Sequence, residues 1–299
     1  MAPTVLTADL FLDAGASLAE APLWDADEGA FVWVDILAGR VALVSPAGET
    51  LRSYELGHSV GAALPAKGGG WLVADALGFG RLDRDGRRAS VLDLLADRPD
   101  VRGNDAKCDP RGRAWAGTLA EGEAGAGQGT LYRLDPGPVA TPVLEGLTVS
   151  NGLGWSPDAR TMWFADSADP LVRGFAYDVD GGELGERRGS IDVSASGGVA
   201  DGLCVDDEGA VWVGIWGGGA VHRYTPDGRL DTIVRVPATN VTSCAFGGPG
   251  AGLLVITTAR AGLSADALAK QPHAGGLFVV EPGVSGPAAT PWRPGPDRA

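Results

Sequence analysis

Four polar residues occupy one recurring place in the chain. Glu20, Asn104, Asn151 and Asp201 each lie five residues ahead of a turn, and those turns open at positions 25, 109, 156 and 206. Two further turns, at 65 and 247, put Val60 and Thr242 at the same offset. Small and apolar residues dominate the next few positions: Ala-Pro-Leu-Trp after Glu20, Gly-Leu-Gly-Trp after Asn151, Gly-Leu-Cys-Val after Asp201. A polar group heading an apolar strand costs free energy on burial unless it finds a partner. If the equivalent positions converge on one axis, two carboxylates and two amide oxygens face a common centre, where one cation satisfies them together. The set is hard and all-oxygen, suited to Ca²⁺, Mg²⁺ or Mn²⁺. The lack of His and Cys argues against a structural zinc site but leaves zinc open, because zinc accepts carboxylate oxygen. The competing reading is ordinary turn chemistry, since Asn and Asp are frequent turn formers. Four equivalent positions favour the cation.

The elements that must position these groups follow from an internal repeat. A turn followed by a short apolar strand recurs six times: DADEGAFVWVD (25–35), PAKGGGWLVAD (65–75), DPRGRAWAGT (109–118), SPDARTMWFAD (156–166), DDEGAVWVGI (206–215) and GGPGAGLLVITT (247–258). A second strand-and-turn unit follows each, from GRVALVSPAGE (39–49) to GGLFVVEPG (275–283). The turns are spaced 40 to 50 residues apart, the length of a four-stranded propeller blade. The expected fold is all-β: a single six-bladed β-propeller over residues 1–299, closed by an N-terminal strand near 4–12 that pairs with the last blade and removes a free sheet edge. Trp33, Trp115, Trp163 and Trp212 fall at the core position of the repeat, whereas Trp216 either walls the pocket or packs between blades. Residues 263–271 predict one short helical turn capped by Ser264.

Composition narrows the partners. Gly is counted at 47 and Pro at 20, which favours short strands and tight turns, and hydrophobic residues at 44% supply a core. A net charge of −14 makes nucleic acid and anionic membrane surfaces poor partners. The N-terminus lacks a basic, apolar leader and no run reaches a membrane span, so the expectation is a cytoplasmic protein with Cys108, Cys204 and Cys244 reduced. No Gly-x-Ser-x-Gly elbow is present, and His58, His222 and His273 fall on turns or outer strands, so a Ser/His/Asp triad is unsupported. Nothing in the sequence bears on oligomeric state.

The stretches LAEAPLW (18–24), RGNDAK (102–107), SNGLGWSPD (150–158), ADGLCVD (200–206), TSCAFGG (242–248), TTARAGLS (257–264) and QPHAGGLF (271–278) resemble the SMP-30/gluconolactonase family, in family order over about residues 15–280. The resemblance implies a six-bladed propeller with one divalent metal that hydrolyses a sugar (aldono-) lactone. Glu20, Asn151 and Asp201 match the family's metal ligands, and Asp201 also its acid/base. Arg102 and Asn104 match its substrate-contacting pair. Glu121 lies near a third contact, although Gly122 separates it from Glu123 where the family more often has adjacent Glu residues. Calcium or zinc leads the candidate metals, with manganese, magnesium and iron also open. Ala19 and Ala21 flank Glu20 where the family usually has Gly, and Gly103 suggests a flexible Arg102–Asn104 loop. Asp105 either orients Arg102 or caps a turn, and the cap is the favoured reading. A related propeller hydrolase of other esters or organophosphates, or a non-catalytic calcium-binding propeller, stands as the alternative.

Overall fold

The repeat becomes a ring of six sheets. The structure, a computed structural model, describes residues 2–122, 125–135 and 139–294. The N-terminal segment forms β1 (Thr4–Thr7) and β2 (Asp9–Leu12). Blade one is β3 (Ala19–Asp25), β4 (Ala30–Asp35), β5 (Arg40–Val44) and β6 (Thr50–Glu55). Blade two is β7 (Val60–Pro65), β8 (Trp71–Asp75), β9 (Gly78–Leu82) and β10 (Arg88–Leu92). Blade three runs through β11 (Val101–Cys108), β12 (Ala114–Ala120), β13 (Gly129–Asp135) and β14 (Val139–Leu147), and blade four through β15 (Ser150–Trp155), β16 (Thr161–Asp166), β17 (Leu171–Asp178) and β18 (Glu183–Asp192). Blade five holds β19 (Val199–Val205), β20 (Val211–Trp216), β21 (Ala220–Tyr224) and β22 (Leu230–Arg235), and blade six β23 (Val241–Gly247), β24 (Leu253–Thr258) and β25 (Leu277–Val280). Each blade is an antiparallel meander whose first strand is innermost, and β11, β15, β19, β23, β3 and β7 pack side by side around the axis.

Closure involves the N-terminal segment, but across two blades. β2 completes blade six by pairing antiparallel with β25, whereas β1 runs parallel to β22 as a fifth strand of blade five. The chain turns between them at buried Ala8, whose N–H donates to Arg235 O at 2.9 Å.

Three of the six turns that define the repeat are fastened by the Asp that opens them, at 25, 109 and 206. Asp109 Oδ1 accepts from Arg111 N at 2.8 Å and Arg113 N at 3.0 Å; Asp206 Oδ1 accepts from Glu208 N at 3.0 Å and Ala210 N at 2.8 Å. These are side-chain-closed turns. The second oxygen ties the turn to the core: Asp206 Oδ2 accepts from Trp212 Nε1 at 2.9 Å, and Asp25 Oδ2 accepts from Trp71 Nε1 of the next blade at 3.0 Å. Trp33, Trp115, Trp163 and Trp212 are buried, as their place in the repeat requires. The expected helical turn is α1 (Ala265–Lys270), where Ser264 Oγ accepts from Ala267 N at 3.2 Å. All three cysteines are free. Among the described residues no helix is long and apolar enough to cross a membrane.

A C-terminal strap crosses the face where the inner strands end. Asp207 N donates to Ser285 O, Trp292 N to Pro65 O and Arg293 N to Gly112 O, at 2.9, 2.7 and 2.9 Å. Beneath it lies a cavity of about 330 Å³, walled partly by Trp24, Trp155 and Phe246. The polar ring lies at the other end of the axis.

Candidate active site

All six inner strands carry a β-bulge at or beside the ring position. Pairing skips between Glu20 and Leu23, Val60 and Ala62, Gly103 and Ala106, Ser150 and Leu153, Ala200 and Leu203, and Val241 and Ser243. A bulge adds a residue and re-aims side chains. Tight packing between neighbouring inner strands depends on glycine directly after the ring residue. A Cβ on Gly152 would fall 2.6 Å from Asp201 O, and one on Gly202 2.1 Å from Ser243 Oγ. In blade one the same place holds Ala21, at φ 46°, a left-handed conformation unusual for alanine. Its N–H donates to Glu20 Oε2 at 2.7 Å.

Glu20, Arg102, Asn104, Asn151, Ser167 and Asp201 form the polar part of one cavity of about 240 Å³. A chain of hydrogen bonds orients them. Arg102 Nη1 donates to Asn104 Oδ1 at 2.8 Å, and Asn104 Nδ2 donates to Asn151 Oδ1 at 2.8 Å and Ser150 O at 3.0 Å. Asn151 Nδ2 donates to Ser167 Oγ at 2.8 Å, and Ser167 Oγ donates to Ala200 O at 2.6 Å. A hydroxyl has one proton. Because Ser167 commits its proton to Ala200 O, it must accept from Asn151, which fixes the amide with Nδ2 outward and Oδ1 toward Asn104. Arg102 Nε makes an ion pair with Glu121 Oε1 at 3.3 Å.

Arg102, Asn104 and Asp105 lie within β11, so the expected flexible loop over 102–104 is strand instead. Glu121 lies outside the cavity lining and is mostly exposed, and it meets the site through Arg102. Glu123 falls outside the described residues. Trp216 lines the cavity, which decides between its two expected roles. Asp105 is no turn cap: it is buried inside β11, and both of its carboxylate oxygens lack a hydrogen-bond partner.

Four contributions escaped sequence reasoning. Ser167 is one. Asp35 and Asp166 are two more: Asp35 accepts from Ser17 N and Leu18 N at 2.9 and 3.0 Å, and Asp166 from Thr148 N and Val149 N at 3.0 and 2.9 Å. Each therefore pins the backbone two and three residues ahead of Glu20 or Asn151. Both stand ten residues after their turn begins, a recurrence readable in the repeat. The fourth is the unpartnered carboxylate of Asp105.

The electrostatics follow from burial. Desolvation, then the neighbouring Asp105, pushes the Glu20 carboxyl up to about 8, against the opposing pull of the Ala21 N–H, Arg102 and Lys107. Burial raises Asp201 well above the usual carboxylate range, with Glu20 and Asp105 adding to it. Asp105 is raised by burial, partly offset by Lys107. Burial thus works against the ionised form of all three acidic groups, and a cation placed among them would offset that cost. Among the described residues no three His, Cys, Asp or Glu side chains form a metal site alone. A cation site here accordingly needs the Asn151 amide, whose orientation Ser167 fixes. The desolvated carboxylates, the orphaned Asp105 oxygens and the all-oxygen donor set fit a hard divalent cation.

Comparison with known proteins gives the family and the fold. The model of the SMP-30/gluconolactonase/LRE-like region matches residues 18–260. Regucalcin of Danio rerio is 35% identical over 263 residues, covering 87% of this chain and 89% of its own. The structure of a calcium-binding protein, regucalcin of Agrobacterium tumefaciens, superposes with a TM-score of 0.91 at 28% identity, covering 98% of this chain and 100% of that one. A luciferin-regenerating enzyme superposes at 0.87 with 26% identity, covering 94% and 97%. The chain belongs to the SMP-30/gluconolactonase/LRE-like family.

Proposed function

We propose that this chain is a metal-dependent lactonase, opening a lactone to its hydroxy acid, with the aldonolactones implied by the sequence as the starting substrates. The observation that carries the reading is the pair of buried carboxyls, Glu20 and Asp201, beside an amide oxygen of fixed orientation in a cavity of about 240 Å³. Glu20, Asn151 and Asp201 would hold the cation, calcium or zinc ahead of manganese, magnesium and iron, and it would supply Lewis acidity toward the lactone carbonyl and the attacking water.

The protein's own groups account for the rest. Asp201 takes a proton from the attacking water and returns it to the ring oxygen as the C–O bond breaks, so lactone plus water gives one hydroxy acid. Arg102 is held between Asn104 Oδ1 and Glu121, which presents its guanidinium to substrate oxygen from a fixed position. Asn104 has its amide engaged on both sides, with Asn151 and with Arg102, so it contacts substrate by exchanging one of those bonds.

The test is initial-rate lactone opening by metal-stripped protein, reconstituted separately with Ca²⁺, Mg²⁺, Mn²⁺, Fe²⁺ and Zn²⁺. Metal-dependent turnover supports the reading. Undiminished turnover after verified metal removal sinks the metal role. Tight Ca²⁺ binding with no lactone opened under any metal favours the non-catalytic propeller.

A further inference from the structure

Half of the cavity lining is apolar: Leu18, Ile36, Leu119, Val149, Val199 and Trp216. Leu18, Val149 and Val199 stand two residues ahead of Glu20, Asn151 and Asp201 respectively, and Arg102 is the one charged residue of the lining at that level, in blade three. Two of the apolar residues come from the second strands of their blades. Leu119 pairs with Arg102 and Trp216 with Val199, so both stand at the level of the inner-strand heads.

The rim continues the pattern. Val199 is 43% exposed, and Leu37 and Leu77, on the β4–β5 and β8–β9 connections, are 53% and 38% exposed. Those connections lie on the face where the inner strands begin, which is the mouth of this cavity. The floor's polar atoms are largely committed to one another: Asn104 to Arg102 and Asn151, and Asn151 to Ser167.

Resting on the lactonase reading, we infer that the preferred substrate is a lactone bearing an alkyl or aryl substituent rather than a ring of hydroxyls. Its ester group meets the polar floor and its substituent lies against the apolar walls. A sugar hydroxyl placed there leaves water without gaining a partner, whereas a methylene gains on burial. Each added carbon is expected to raise kcat/KM about fourfold, the rate equivalent of burying one methylene.

The experiment compares kcat/KM for γ-butyrolactone, γ-pentalactone and γ-heptalactone with that for L-galactono-γ-lactone and D-glucono-δ-lactone, using reconstituted protein. The expected result is a rise along the alkyl series, with γ-heptalactone at least tenfold above either aldonolactone. Val199→Asn, on the exposed rim, should narrow that ratio. Aldonolactones favoured tenfold or more, or a flat alkyl series, overturn the inference while leaving the lactonase reading intact. Failure to open any lactone defeats the lactonase reading instead. In that case calorimetric binding of the matched alkyl and polyhydroxylated lactams, which resist opening, still decides the inference: tighter binding of the polyhydroxylated lactam refutes it.

Discussion

Stripping the cation should make the fold sensitive to pH, with Glu20 setting much of the size of the effect. Its carboxyl moves from an ordinary value of 4.5 to about 8 in the folded protein, chiefly through burial. Below about 4.5 both folded and unfolded chains hold the proton. Between about 4.5 and 8 only the folded chain holds it, so stability falls as pH rises, by about 1.4 kcal/mol per pH unit for one proton. Across the window this amounts to about 5 kcal/mol. For 299 residues at about 2.1 cal/mol/K each, the unfolding entropy is about 0.6 kcal/mol/K, and the loss corresponds to about 8 °C in Tm. Water entering the open mouth screens the charge, which makes this an upper figure. The assay is scanning calorimetry of chelator-treated, dialysed protein at pH 5, 6, 7 and 8, with Glu20→Gln run in parallel. The net charge of −14 also grows more negative over this range, so the difference between the two proteins isolates Glu20. Wild type should lose Tm across the window, and the variant should lose less than half as much and be the more stable at pH 8. Saturating Ca²⁺ should flatten the wild-type curve. Equal slopes in the two metal-free proteins would refute the reasoning, because burial of Glu20 would then carry no proton.

Three other outcomes are expected from the site. Asp201→Asn should keep the fold by circular dichroism and lower kcat by roughly 10²–10⁴-fold, the usual range for a proton-transfer group; near-native turnover would remove Asp201 from that role. Ser167→Ala frees the Asn151 amide and should weaken divalent-cation binding by about tenfold, measured by titration calorimetry of metal-free protein, because groups that orient metal ligands typically contribute 10- to 100-fold. Ser167→Thr, which keeps the hydroxyl, should restore affinity, and a uniform loss of metal-free Tm in both variants would point to a structural role instead. Asp166→Ala leaves Thr148 N and Val149 N without their acceptor and should cost about 2 kcal/mol or more in urea unfolding.

The ring of ligand candidates was legible because blade register is a counting problem. Once the turns are aligned, Glu20, Asn104, Asn151 and Asp201 share one offset, and the structure brings all four into one cavity. Asp105 was misread for a local reason. Regular strands send successive side chains to opposite faces, which leaves no inward place for the neighbour of Asn104. The bulge between Gly103 and Ala106 breaks that alternation. In blades four and five the residue after the ring position is a glycine with no room for a side chain; in blade three it is an aspartate, and composition alone does not show that a bulge accommodates it. Ser167 was hidden for another reason: its role is to orient a ligand, and neither its residue type nor its spacing signals that.

The same logic explains why substrate preference is harder to read than the metal set. Ligands must recur at equivalent offsets, because six inner strands deliver them to one axis. Walls are set where equivalence fails. At the tenth residue of the turn unit, Asp35 and Asp166 use their carboxylates to pin the strand heads ahead of Glu20 and Asn151. In blades three and five the pairing register puts Thr118 and Ile215 at the equivalent place, and Leu119 and Trp216, one residue further along, line the cavity. Which residue reaches the cavity from a second strand therefore depends on the turn length and bulge of its own blade, and no common offset reveals it.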